Sequence, residues 1–406
     1  MAAAVEQALA ERSALVVEAG TGTGKTYAYL TPALLGGGRV IVSTGTKNLQ
    51  DQLFFRDLPK VRDTLAASAR IALLKGRNNY LCLYRLRRAQ LDPRTRVRRE
   101  RLALAEEWSH RTQSGEISEL GALAPDDALI PAITSTADNC LGARCPDFGE
   151  CHVVKARRAA QAADLVVVNH HLLFSDFRLK QEGFGVLPGA DAVIIDEAHQ
   201  LPELAAQFFG ERVSTRQMLD LVRDCGSEIQ QFGDMPDLVE AVDALAIAAG
   251  ELERPFLELG GRVAWRQFGT MPGAASALGA ARTALGECSE ELKRYAERSP
   301  GLESCAGRAE NLGRRLELIA SEDEKSQENA VRWVEAVGRG GALHTAPVEP
   351  TEGFRNFMAA WPGAWVFTSA TLAAGQDFSH FCNTLGLEDA RTLRLDSPFD
   401  YARQAR

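Results

Sequence analysis

The sequence predicts an α/β fold built on a parallel sheet, and three features carry that expectation. The first is an apolar run at residues 15–17 that opens into a glycine-rich turn, Gly20-Thr21-Gly22-Thr23-Gly24, and then a helical pattern from Lys25-Thr26. The second is the return of buried-strand runs at residues 39–44, 164–170, 192–195 and 364–372, each ending in polar residues. The third is the helical spacing after these runs. Strand, helix, strand at this interval needs crossover helices, and crossovers make neighbouring strands parallel.

The first turn has the chemistry of a polyphosphate site. Glycines at 20, 22 and 24 let successive backbone N–H groups point at phosphate oxygens, and the helix that follows adds its positive N-terminal end. In this pattern Lys25 reaches the β- and γ-phosphates and the Thr26 hydroxyl takes a Mg²⁺ site. Ala19 stands where the strict GxxxxGK[ST] spelling has its first glycine. The helix continues over residues 27–35 and Gly36-Gly37-Gly38 stops it. A second strand follows at 39–44. Residues 45–58 then read as a turn and a helix, with Leu49, Leu53 and Leu58 apolar.

From Lys75 the character changes. Cys82 is followed by a basic helical stretch carrying Arg85, Arg87, Arg88, Arg94, Arg96, Arg98, Arg99 and Arg101. Such a stretch either lines a path for nucleic-acid phosphates or forms a solvated helix face. Cys140, Cys145 and Cys151 come next, among Gly142, Pro146 and Gly149. Four cysteines with three clustered suit thiolate ligation of an iron–sulfur cluster or of zinc. Cys225, Cys288, Cys305 and Cys382 have no such grouping and read as core or surface thiols, and His152 beside Cys151 reads as incidental.

The sheet pattern resumes at 164–170 and again at 192–195, where it runs into Asp196-Glu197-Ala198-His199. In a parallel sheet the C-terminal strand ends face the ligand crevice. Asp196 there can hold Mg²⁺ opposite Thr26, and Glu197 can orient the attacking water. Residues 202–341 are alanine- and leucine-rich with helical periodicity, as in Val239, Val242 and Leu245, and read as an inserted helical domain. One more strand, at 364–372, ends in Thr368-Ser369-Ala370-Thr371.

Composition bounds the rest. At 406 residues, with 45% hydrophobic and 25% charged residues, the chain has material for two or more domains and a large core. A net charge of −8 excludes a generally basic nucleic-acid coat, so nucleic-acid contact must come from local patches. There is no apolar stretch long enough for a membrane span and no leader pattern, which predicts a cytoplasmic protein with reduced thiols and no membrane partner.

The phosphate loop, the DEAH tetrad and Thr368-Ser369-Ala370-Thr371, in that order, resemble motifs I, II and III of superfamily 2 helicases. With residues 75–82, the Cys140, Cys145, Cys151 trio and Val168-Asn169-His170-His171-Leu172-Leu173 added, the chain resembles the DinG/XPD-type iron–sulfur helicases, and within them the bacterial DinG-like/YoaA branch. The resemblance implies a RecA-like P-loop parallel sheet at 1–74, 161–201 and 343–406. It implies an iron–sulfur domain inserted at 75–160 and a helical arch domain at 202–342. The second RecA-like domain and an upstream adenine-reading segment are then expected to be missing. It further implies ATP, Mg²⁺ and a [4Fe–4S] cluster on Cys82, Cys140, Cys145 and Cys151. Lys25, Asp196, Glu197 and His199 would be the catalytic set. Thr44 and Thr46 match the family's single-strand motif, and Thr368 and Ser369 match the motif coupling nucleotide to DNA. The implied activity is ATP-driven 5′-to-3′ unwinding on single-stranded and forked DNA, with replication or repair proteins as partners. The competing expectation is a non-catalytic module that binds nucleotide and single-stranded DNA.

Overall fold

The apolar runs form strands in the expected direction. A computed structural model describes residues 1–91, 98–121, 123–181, 185–321 and 330–399. In chain order the strands are β1 (Ala14–Ala19), β2 (Val40–Thr44), β3 (Ile71–Leu73), β4 (Leu165–Asn169), β5 (Ala192–Asp196), β6 (Glu211–Ser214), β7 (Arg262–Ala264), β8 (Ala330–Val337), β9 (Gly340–Pro347), β10 (Ala364–Ser369) and β11 (Arg391–Leu395). The chain divides into two units. One comprises Met1–Gly76, Val153–Phe209 and Glu349–Arg406, the other Arg77–His152 and Gly210–Val348.

The first unit holds a seven-stranded sheet of order β11-β1-β10-β5-β2-β4-β3, parallel throughout. Its inner strands β2, β4 and β5 are nearly unbroken apolar runs because both faces are covered. Val16, Ile41, Val193, Ile195 and Phe367 pack into the core on one face. Leu15, Val17, Val42, Ile194 and Val366 pack into the core on the other. The first long crossover departs from the expected single helix. It runs as Lys47–Gln52, a wider π-turn over Leu53–Asp57, and Leu58–Thr64. Pro59 explains the widening, since it has no N–H to offer the regular ladder. The Leu58 N–H instead bonds the carbonyl five residues back, at Leu53.

The second unit packs four long helices, Thr215–Phe232, Pro236–Leu257, Ala274–Tyr295 and Pro300–Ala320, around Leu221, Leu245, Leu285 and Leu316. Their starts are capped. Ser214 and Gln217 form a reciprocal capping box, and the Ser299 hydroxyl accepts from the Leu302 N–H. The region expected to be purely helical also contains a four-stranded antiparallel sheet, β6-β9-β8-β7. Its β8–β9 hairpin turns at Gly338, whose φ is +63°, and runs to Pro347, past the expected boundary at 342. The helix Leu201–Phe208, expected in the insert, lies in the first unit. Among the described residues no helix is long and apolar enough to cross a membrane.

Candidate functional site

Sheet order decides what can meet. β10 lies between β1 and β5, and β2 flanks β5 on the other side. The C-terminal strand ends therefore line up as Glu18 opposite Ser369, Thr368 opposite Asp196, and Ser43 opposite Ile195. The phosphate loop, the motif-III strand, DEAH and the Ser43-Thr44 strand share one edge of one sheet.

The loop after β1 has the backbone its glycines allow. Gly22 and Gly24 sit at φ +84° and +75°, a region that disfavours any Cβ. The Thr23 hydroxyl donates to the Gly20 carbonyl at 2.8 Å, closing the turn. Gly24 then caps the helix Lys25–Leu35. After β11 the chain passes against this loop. The Ser397 hydroxyl donates to the Thr21 carbonyl at 2.8 Å, and the Phe399 ring occupies the space a Cβ on Gly22 would need.

Asp196 is nearly buried at the end of β5. Burial first, and the neighbouring Glu197 charge second, push its pKa up to about 6, while Lys25 pulls it down. The ammonium of the phosphate loop thus acts directly on the DEAH aspartate. Tyr29, which the sequence reading did not single out, joins the two motifs physically. Its hydroxyl donates to Asp196 Oδ2 at 3.2 Å and lies beside the Thr26 side chain. The available signal was its position three residues after Thr26, on the same helix face. Burial, followed by Asp196, holds the Tyr29 phenol well above its usual pKa. Glu197 adopts φ +56°, a left-handed conformation rare outside glycine. His199 Nδ1 lies 3.3 Å from Glu197 Oε2 and 2.9 Å from Ser369 Oγ, which links DEAH to the β10 strand.

Glu18 is a second residue the sequence reading missed. Its carboxylate accepts from the Leu372 and Ala373 N–H groups at 2.6 and 2.7 Å and pairs with Arg394 at 3.3 Å. It pins the loop after β10 to the residue just before the phosphate turn. An acid inside an otherwise apolar strand was the signal.

The residues expected at DNA divide differently. Thr44 is 1% exposed and its hydroxyl turns to the Thr46 carbonyl at 3.3 Å. Thr368 and Ser369 are fully buried. These three side chains do not reach the surface. The exposed part of this loop is Thr46, Lys47 and Asn48. Thr46 also caps the following helix, accepting from the Leu49 N–H at 3.3 Å.

In the second unit Cys82, Cys140, Cys145 and Cys151 are all half-buried. Burial pushes the Cys82 thiol up to about 11, against the Arg85 N–H and charge, and Cys140 and Cys145 are near enough to raise it further. Cys145 is raised by burial first, with Cys140 and Cys151 adding to it and the Asp147 N–H bonding its sulfur. The four sulfurs therefore share one neighbourhood. They do not close into a ligand cage: among the described residues no three Cys, His, Asp or Glu side chains are set to hold a metal ion. The donor type and the N–H bonds onto sulfur fit a thiolate-held group. Cys225, Cys288, Cys305 and Cys382 are buried core thiols.

Part of the basic stretch meets acidic partners within its own unit. Arg85 pairs with Asp224, Arg87 with Asp147, Arg88 with Glu228 and Arg101 with Asp127. Arg85 and Arg88 are largely buried in these pairs, whereas Arg87 and Arg101 stay more than half exposed. Arg94 and Arg96 lie outside the described residues.

Comparison with known proteins adds the following. Residues 2–91 match the DEAD/DEAH box helicase family. The ATP-dependent DNA helicase YoaA of Escherichia coli (strain K12) is 43% identical over the whole of this chain and 64% of its own length. The ATP-dependent helicase DinG of Mycobacterium tuberculosis (strain ATCC 25618 / H37Rv) is 39% identical over half of this chain and 34% of its own length. A solved XPD helicase aligns over 97% of this chain and 61% of its own, at 14% identity and a TM-score of 0.49. The chain thus spans a little under two thirds of the YoaA protein's length.

Proposed function

The chain carries a DEAD/DEAH box helicase domain and is homologous over its whole length to the helicase YoaA, and on that footing we propose that it is the nucleotide-hydrolysing part of an ATP-dependent DNA helicase. The observation that carries this reading is the Thr26–Tyr29–Asp196 connection, with Lys25 acting on the same carboxylate. It supports reading the phosphate loop and DEAH as two halves of one Mg²⁺–phosphate site.

The roles follow from charge and reach. The loop N–H groups and Lys25 Nζ hold the β- and γ-phosphate oxygens, and Thr26 and Asp196 are the Mg²⁺ ligands. Bound Mg²⁺ supplies positive charge against the phosphate oxygens and relieves the buried Asp196 carboxylate. Glu197 takes the proton of the attacking water. His199 passes the state of Glu197 to Ser369. Strand contact falls to the exposed Thr46 and Lys47 side of the loop, on single-stranded or forked DNA, with 5′-to-3′ movement, in replication or repair. Cys82, Cys140, Cys145 and Cys151 would hold a [4Fe–4S] cluster, whose thiolate bonds would cross-link this otherwise loop-rich segment.

The test compares two variants. Lys25→Ala should weaken Mg²⁺–ATP binding and abolish hydrolysis without changing the melting temperature. Glu197→Gln should bind nucleotide as the parent does and hydrolyse it on the order of 10²–10⁴-fold more slowly, the usual worth of a general base. Turnover within a few-fold of the parent in both variants would refute the assignment. Nucleotide and strand binding by the parent without any turnover would favour the binding-module reading.

A further inference from the structure

We propose that Thr368 is a positioning residue of the nucleotide site, whose hydroxyl takes hold of the Asp196 carboxylate when Mg²⁺ and nucleotide bind. The inference deepens the helicase reading and rests on it. Thr368 is the last residue but one of β10. Its cross-strand partners in the parallel ladder are Val17 on β1 and Asp196 on β5. Residues paired in this way project to the same face of a sheet, on strands about 4.8 Å apart. Val17 is apolar, so the one polar side chain level with Thr368 on its flanking strands is the DEAH aspartate.

Packing identifies that face. Val366 lies two residues before Thr368 and Ile194 two before Asp196, so strand alternation puts each pair on one side. Val366, Ile194 and Val17 all pack into the core that contains Tyr29, Leu30 and Ala33 of the helix Lys25–Leu35. Thr368 therefore sits on the face covered by the helix that carries Lys25, Thr26 and Tyr29.

The Thr368 hydroxyl is unlike its neighbours. Four hydroxyls stand at the ends of β2 and β10. Ser43 meets His170 Nδ1 at 2.7 Å, Thr44 donates to the Thr46 carbonyl at 3.3 Å, and Ser369 meets His199 at 2.9 Å. The Thr368 oxygen is closed off from solvent and has no hydrogen-bond partner among the described residues. Buried hydroxyls are rarely left in this state, because desolvation without a new bond is unfavourable. An acceptor stands one strand away but is aimed elsewhere. Asp196 Oδ2 accepts from the Tyr29 hydroxyl at 3.2 Å, and Oδ1 accepts from the Glu197 N–H at 3.1 Å. A carboxylate has about four acceptor sites, so two remain.

Asp196 must re-aim an oxygen to serve as a ligand, since Mg²⁺ demands near-ideal octahedral placement. That turn offers a free lone pair to the Thr368 hydroxyl and fixes the carboxylate from the β10 side. The hydroxyl is thus unpaired before binding and paired after it. A group better satisfied in the bound state adds to affinity for the ligand and not to the stability of the free chain.

The experiment separates those two quantities. Thr368→Val keeps the shape of the side chain and removes the oxygen, while Thr368→Ser keeps the hydroxyl. The Kd of a non-hydrolysable ATP analogue is measured with Mg²⁺ and again in EDTA, beside the melting temperature of the nucleotide-free protein. Thr368→Val should melt at or above the parent's temperature and bind the analogue with Mg²⁺ about tenfold more weakly, the worth of one hydrogen bond to a charged group. In EDTA its affinity should stay within about twofold of the parent's, because the contact acts through the metal-bound carboxylate. Thr368→Ser should recover most of the Mg²⁺-dependent affinity. Parental binding by Thr368→Val with Mg²⁺ overturns the proposal, as does equal weakening with and without the metal. A lowered melting temperature, or failure of Thr368→Val to fold, also overturns it, since the hydroxyl would then be serving the free chain. Failure of the parent to bind the analogue with Mg²⁺ would instead overturn the helicase reading itself.

Discussion

Replacing Glu228 by Met should destabilise the second unit by about 3 kcal/mol, because it strands a buried cation. The Glu228 carboxylate is 4% exposed. It accepts from Arg88, from the Ser299 hydroxyl at 2.6 Å and from Tyr84 at 3.4 Å. Breaking a buried pair from one side costs about 3–5 kcal/mol, and the low end applies because Arg88 is 21% exposed and can be partly hydrated. In a unit of this size each kcal/mol moves the melting temperature by about 2–4 °C, so a fall of about 6–12 °C is expected. The controlling comparison is a double-mutant cycle with Arg88→Met. Removing both charges should cost far less than the sum of the single changes, by about 2 kcal/mol, since neither charge is then left alone. Additive costs, or a Glu228→Met melting temperature equal to the parent's, would refute the claim that this carboxylate clamps the helix after Cys82 onto the helical bundle.

Two further outcomes are expected. Measured in EDTA, Asp196→Asn should stabilise the protein at pH 8 and destabilise it at pH 4. A carboxyl raised to about 6 makes stability fall as pH rises from about 4 to 6, a loss of about 3 kcal/mol, while Asn loses one of two hydrogen bonds, about 1 kcal/mol. Urea unfolding reads both, and an equal difference at the two pH values would contradict it. Cys82→Ser should lose most iron and sulfide from anaerobically purified protein while nucleotide binding at Lys25 survives, as elemental analysis and an absorbance spectrum would report. Tightly held zinc without sulfide would replace the cluster by a zinc site.

Much of the site was legible because its residues are neighbours in sequence. The turn from Gly20 to Thr26 and the step from Ile195 to Asp196 each contain their own strand, turn and charge. Apolar runs followed by helices were enough to call for a parallel sheet. What could not be read was the fate of side chains at strand ends. Thr44 and Ser369 close their strands, and such a residue faces solvent or the interior according to what lies above it. The arginines after Cys82 looked free because their partners are remote: Asp147 lies 60 positions from Arg87, and Glu228 lies 140 from Arg88. The antiparallel sheet was hidden for another reason. β7 is three residues long, and β8 and β9 mix polar with apolar residues in a region dominated by alanine and leucine.

The strand order also explains why two histidine–serine bonds, one buried and one partly exposed, occur at one sheet edge. Asp196 and Glu197 follow β5, which has β10 on one side and β2 on the other. His199 reaches across to Ser369 on β10, and His170 reaches Ser43 on β2. Each bond gives a buried hydroxyl a partner; the first fixes β10 against DEAH, and the second fixes β2 against the helix that follows β4. Apolar packing alone tolerates small slides between strands, since any well-filled arrangement gains similar contact. A buried hydrogen bond does not, because a shift of about 1 Å breaks it and exposes its full desolvation cost. A slide of β10 is therefore felt at DEAH through His199, which also lies 3.3 Å from Glu197, and is not absorbed by the core.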